Sequence, residues 1–288
     1  YASRMSKKVL SFALLFIVIL TACAPSAPVE IVMAAGESPS TPQVVITPLP
    51  TRPNYKPGEL VDYTAQSGDT LPALAVRFNT TVQEIRTANP IIPPDATTMP
   101  PGLPMKIPIY YRALWGSPYQ IVPDHAFVNG PTAIGFNSAA FISSQPGWLR
   151  NYREYAGDTW RTGAGIVDYV ATNFSINPRL LLALLEYQSG ALSNPTMPDS
   201  SYVLDYRRWD HDSVYLQLVW AANTLNNGYY GWRTGHLTDF DLLDRTEYRP
   251  DPWQDASSVG LQYYFSQIMG GDEFAAAIGP NGLARVYR

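Results

Sequence analysis

The stretch NPRLLLALLEYQSG at positions 177–190 places a carboxylate, Glu186, and a carboxamide, Gln188, at the end of a strongly apolar run. A carboxyl group at the end of a buried helix is disfavoured as an anion by desolvation and by the negative end of the helix dipole. Such a group stays protonated near neutrality and can deliver a proton to a glycosidic oxygen, the general-acid step of glycoside cleavage. A carboxamide in the same place has no proton to transfer. Two residues correspond to about 200° around a helix axis, so Glu186 and Gln188 cannot serve the same face. Asp199, Asp205, Asp210 and Asp212 follow in the next loop and are candidates to assist Glu186. Trp209, Tyr229, Tyr230 and Trp232 offer faces on which sugar rings stack, although such residues more often fill a core.

Other chemistries find little support. His125, His211 and His236 are the three histidines, and they show no metal-ligand spacing. The lone cysteine, Cys23, excludes an internal disulfide and a cysteine-rich metal site. No metal and no cofactor are expected. No GxSxG, phosphate loop or dinucleotide fingerprint is present.

The element that must position Glu186 and Gln188 is a helix over 178–189. Asn177 is a good N-cap, Pro178 takes the first helical position and Gly190 is the C-terminal stop. Leu180 to Leu185 are apolar all round, which places the helix in the middle of a bundle. Further helices are expected near 162–174, at 213–227 with Asp212 or Ser213 as cap and Gly228 as stop, at 257–268, and near 272–278. Residues 141–288 therefore read as a mostly α-helical domain, preceded over 110–140 by a loop-rich, aromatic connector.

PRLLLALLEYQSG resembles the segment of lysozyme-like lytic transglycosylases and related peptidoglycan glycosidases that carries the catalytic glutamate. Those segments run as a proline-initiated helix with an Ala-Leu pair, ending Glu-Ser-Gly. Alignment on Ala183-Leu184 and Ser189-Gly190 puts Gln188 where that family has its acid. Three readings follow: a degenerate lysozyme-like fold in which Gln188 and Ser189 bind sugar or support structure; a relocated acid at Glu186; or a Glu186 that only pairs with an arginine such as Arg179.

The text changes at position 62, DYTAQSGDTLPALAVRFNTTVQEIRTANPIIPPDATTMPPGLPMKIPI. DYTA reads as a strand, Asp69 or Thr70 caps a helix with Pro72 in its first turn, Thr81 caps a second helix, and MKIPI closes as a strand. This small α+β (βααβ) unit over 62–109 resembles the LysM domain through Tyr63-Thr64, Gly68-Asp69-Thr70-Leu71, Phe78, Ile85, Asn89 and Ile107-Pro108. The resemblance implies binding of N-acetylglucosamine-containing glycans, peptidoglycan or chitin-like. The groove it implies lies between the first strand–helix loop and the second helix–strand loop, at Gly68, Asp69, Thr70, Leu71, Asn89, Pro90, Ile91 and Ile92. Asp69 and Asn89 also have the plainer role of capping and ending helices.

Residues 5–23, MSKKVLSFALLFIVILTAC, have the charged and apolar regions of a secretory signal. The ending LTAC resembles a bacterial lipobox, which implies a signal peptide over 1–23, a lipid on Cys23 as the membrane anchor, and a place on the outer face of the cytoplasmic membrane or cell envelope. Residues 24–60 are rich in Pro, Ser and Thr and read as an extended spacer. The formal net charge is -4. No basic patch argues for nucleic acid, whose phosphates a surface of this sign would repel. The whole is expected to be multidomain, a LysM module plus a lysozyme-like helical domain. The modules side by side are also similar to envelope proteins in which a lysostaphin-type zinc peptidase follows. Its ligands are not supplied by the three histidines, so a peptidase domain beyond residue 288 is the alternative expectation.

Overall fold

The computed structural model describes residues 48–288 apart from positions 111 and 113. The segments read as a signal with a lipobox at Cys23 and as the first part of a spacer lie outside the described residues.

The first unit is β1 (Glu59–Thr64), α1 (Leu71–Arg77), α2 (Val82–Ala88) and β2 (Pro104–Ile109), the order read from the sequence. β1 and β2 pair antiparallel with Val61 opposite Ile107 and Tyr63 opposite Met105. The strand starts three residues before the DYTA reading, because Glu59 and Leu60 continue the ladder onto Ile109 and Pro108. Alternate strand residues turn inward to meet Leu71, Leu74, Phe78 and Ile85, all fully buried. Thr70 caps α1 by accepting from the Ala73 amide at 3.3 Å. Thr81 and Glu84 form a reciprocal capping box on α2. Hydrogen bonds from Tyr110, Thr81 and Thr80 hold the Glu84 carboxyl down at about 2.

The rest of the chain carries α3 (Asp124–Phe127), α4 (Ser138–Ser143), the hairpin β3 (Arg153–Ala156) and β4 (Thr159–Thr162), α5 (Gly163–Phe174), α6 (Pro178–Ser189), α7 (Val214–Thr234), the short pair β5 (Phe240–Asp241) and β6 (Glu247–Tyr248), α8 (Ala256–Ser266), α9 (Gly271–Ile278) and α10 (Leu283–Tyr287). α6 has the expected limits, because its caps are local: the Asn177 side chain accepts from the Arg179 amide, and Gly190 takes the left-handed conformation at φ 61°. Leu180, Leu181, Leu184 and Leu185 have no exposed surface, so α6 runs through the core. Full burial of a leucine side chain contributes about 1.5–3 kcal/mol against exposure. Ile121, Val122 and Phe127, from the stretch read as connector, are buried in the same core.

α7 corrects the expected stop at Gly228. The helix runs on to Thr234 and ends at Gly235, left-handed at φ 77°. Gly228 sits where α7 crosses α8: a Cβ there would lie 2.8 Å from Tyr263 Cβ and 2.9 Å from Gly260 Cα. The residue is glycine for close helix–helix approach, not for termination.

The LysM-like unit is docked firmly onto the helical one. Arg77 is buried and donates through Nη1 to Asp69 at 3.0 Å and through Nη2 to the Trp232 carbonyl on α7 at 3.0 Å, with its guanidinium 4.7 Å from the Trp232 ring centroid. Trp253 reaches the other way. Its indole N–H donates to the Asp62 carbonyl at 2.9 Å and its ring meets Phe78 edge-on at 4.8 Å. The end of the stretch read as a spacer is laid along this seam, with Arg52 paired to Asp251 at 2.6 Å and 3.8 Å from the Trp253 ring centroid.

Candidate functional site

The eight groove residues of the LysM-like unit divide into scaffold and surface. Asp69 is buried and accepts from Tyr63 Oη at 2.6 Å, from the Gln66 amide at 2.6 Å and from Arg77 at 3.0 Å. Burial and the Asp69 charge raise the Tyr63 hydroxyl well above its ordinary range, so it stays a donor. Asn89 is likewise buried: its amide donates to the Ile85 and Lys106 carbonyls, and its oxygen accepts from the Lys106 amide at 2.8 Å. Leu71 and Ile92 are buried, and Thr70 is engaged in its cap. Their side chains set the shape of the groove loops. Gly68, Pro90 and Ile91 present surface, and Ile91 is 78% exposed. A large aliphatic side chain left in water suits the apolar face or acetamido methyl of a sugar.

Gly68 is left-handed at φ 82°, and the place a Cβ would take is filled by the Arg233 guanidinium from α7. Arg233 donates to the Ser67 carbonyl at 2.5 Å, and Gln66 donates to the Trp253 carbonyl at 2.9 Å. The helical unit therefore braces the first groove loop, a role for Arg233 that lies 166 positions from Ser67 and leaves no local trace in the sequence.

The end of α6 is organised as scaffold. Glu186 Oε2 accepts from the backbone amides of Leu192 at 2.7 Å and Ser193 at 3.1 Å, fastening the loop after the helix. Arg179 is not its partner: its guanidinium lies 4.7 Å from the Phe136 ring centroid. Gln188 faces the other way, donating to the Leu204 carbonyl at 2.9 Å and accepting from Tyr264 Oη at 2.5 Å. Ser189 Oγ donates back to the Leu185 carbonyl at 2.7 Å. Of the loop carboxylates, Asp205 pairs with Arg207 at 2.7 Å, and Asp210 with Arg208 at 3.3 Å and with His211 Nδ1 at 2.9 Å. The hydrogen bond from His211 holds the Asp210 carboxyl below its usual range. Among the sequence-selected aromatics, Tyr229 and Trp232 are buried in the core, whereas Trp209 and Tyr230 are exposed. Tyr155 and Trp160 on the β3–β4 hairpin form a further exposed pair, with centroids 6.1 Å apart, that sequence reading passed over. Among the described residues no group of three His, Cys, Asp or Glu side chains is placed to hold a metal ion.

Asp255, at the start of α8, is a carboxyl the sequence did not single out. Its Oδ2 accepts from Gln120 at 3.0 Å and from Ser257 Oγ at 2.6 Å, and its Oδ1 is buried without a hydrogen-bond partner. Burial pushes the carboxyl up, and the hydrogen bonds offset only part of this. An unfolded aspartate ionises near 3.9. The folded state thus favours the protonated form, and that stability is complete below about pH 4 and is lost as pH rises through the folded value. Asp255→Asn removes the charge and keeps an acceptor. Its stability relative to the wild type is expected to improve from pH 4 to pH 7 in urea unfolding, and a difference independent of pH would contradict this.

The structure thus combines a βααβ module with a helical domain in which Glu186 is tied to the backbone amides of the following loop. The comparisons agree in kind. A family model of the LysM domain matches residues 63–108. A family model described as LasA, N-terminal domain matches residues 120–288, more than half of the chain. The chain belongs to the LasA N-terminal domain family and carries a LysM domain ahead of that region. No curated protein and no solved structure matches it.

Proposed function

We propose that the protein binds N-acetylglucosamine-containing glycan, peptidoglycan or chitin-like, through its LysM module at 62–109, and that the helical domain is a non-catalytic, lysozyme-like support for that module. The observation that carries the reading is the complete βααβ unit with Ile91 left in water at the groove. Support for the non-catalytic part comes from α6, where Glu186 caps a loop and Gln188 is clamped between Leu204 and Tyr264. We further propose that Cys23 is lipidated and anchors the protein on the outer face of the envelope. This rests on the LTAC sequence alone. Mass spectrometry of the membrane fraction tests it, with an unmodified Cys23 as the contrary result.

Incubation of the purified protein with peptidoglycan, followed by analysis of released fragments, separates binder from enzyme. The expected result is retention on the insoluble wall with no reducing-end or anhydro products. Products that disappear in Glu186→Gln would instead establish a glycosidase that uses Glu186. A second reading is favoured by the description of the matching family as an N-terminal domain. In it, the chain is the non-catalytic N-terminal part of a larger peptidoglycan hydrolase whose zinc peptidase domain lies beyond Arg288. Reading the gene past that codon tests it directly.

A further inference from the structure

Gln66 and Ser67 of the first LysM loop form part of a cleft of about 690 Å³ whose remaining lining belongs to the helical domain and includes Asp124, Tyr229, Arg233 and Asp255. That volume lies in the range of sites for small ligands. The charges in it are unusual. Arg233 is oriented by Tyr229 Oη, to which it donates at 2.7 Å, and by the Ser67 carbonyl, yet among the described residues it makes no ion pair. Asp124 accepts from the Ser257 amide at 2.9 Å and Asp255 from Gln120 and Ser257, and among the described residues neither carboxylate is ion-paired. Asp255 is more than nine-tenths buried, with one oxygen unpartnered. Buried charge and unfilled acceptors are costly, and native proteins usually satisfy them internally. Here a pre-oriented guanidinium and two carboxylates share one cleft without neutralising one another. A ligand that brings both an ammonium and a carboxylate would complete all three.

We propose that this cleft is a second binding site, adjoining the LysM loop through Ser67, that takes a short peptide with a free amino group and a carboxylate. The amine is received by Asp124 and Asp255 and the carboxylate by Arg233. The source assigned to that peptide is the stem peptide of peptidoglycan, attached to the same glycan strand that the LysM module holds. That assignment rests on the glycan-binding reading above.

Isothermal titration of the purified protein with four probes tests it: chitotetraose, the peptidoglycan disaccharide with its tetrapeptide, the same disaccharide without it, and the free tetrapeptide. The disaccharide–peptide is expected to bind about tenfold more tightly than the bare disaccharide, as added charge-assisted contacts warrant. Asp124→Asn, checked for an unchanged melting temperature, should abolish that advantage and leave chitotetraose affinity unaltered. Equal affinity of the wild type for the disaccharide with and without peptide overturns the proposal. Binding of the free tetrapeptide with no binding of chitotetraose would sink the glycan reading and keep the cleft. The reverse pattern would sink the cleft and keep the glycan reading.

Discussion

Arg77→Ala is expected to destabilise the folded chain by about 3–5 kcal/mol, because it strips the buried Asp69 carboxylate of the guanidinium that pairs with it. Asp69 and Arg77 have 3% and 2% of their side-chain surface exposed, so water cannot replace the lost partner cheaply. The same change removes the donor to the Trp232 carbonyl and the stacking on the Trp232 ring, and thus weakens the seam between modules at its most buried point. For a unit of this size the loss corresponds to a fall in melting temperature on the order of 10 °C. Calorimetry provides the test, and a shift under about 2 °C would mean that the pair contributes nothing net.

Trp253→Ala is expected to cost about 3–5 kcal/mol and to change the character of unfolding as well as its midpoint. The indole joins Phe78, Tyr55, Arg52 and the Asp62 carbonyl, so one side chain gathers the LysM core, the segment before it and the helical unit. Without it the module should melt before the helical domain, turning one calorimetric transition into two. A single transition with an unchanged midpoint would show that the modules are coupled elsewhere.

What the sequence disclosed and what it hid follow from the range of the interactions involved. α6 was legible to the residue because Asn177, Pro178 and Gly190 act on their immediate neighbours. The LysM order was legible for the same reason, through the caps at Thr70 and Thr81. Gly228 was misread because a stop signal and a helix-crossing glycine look alike until Gly260 is known to lie against it. Asp69 and Asn89 could be named as groove residues, but their burial depends on Tyr63, Arg77 and Lys106 and makes them builders of the loops, not exposed contacts. The cleft charges were invisible, since Ser67, Asp124, Arg233 and Asp255 are brought together only by tertiary packing. At the α6 ending, where the pattern resembles a glycosidase helix, the side-chain geometry gives both Glu186 and Gln188 internal duties.

The measurement that bears most directly on the central claim is co-sedimentation of the wild type and Ile91→Asp with insoluble peptidoglycan. Ile91 is 78% exposed, so its replacement should leave stability within about 0.5 kcal/mol. Loss of an aliphatic contact and introduction of a charge at the groove should weaken glycan affinity by about tenfold or more. The account expects the wild type in the pellet and the variant in the supernatant at equal melting temperature. Equal sedimentation of both proteins, or of neither, would contradict it.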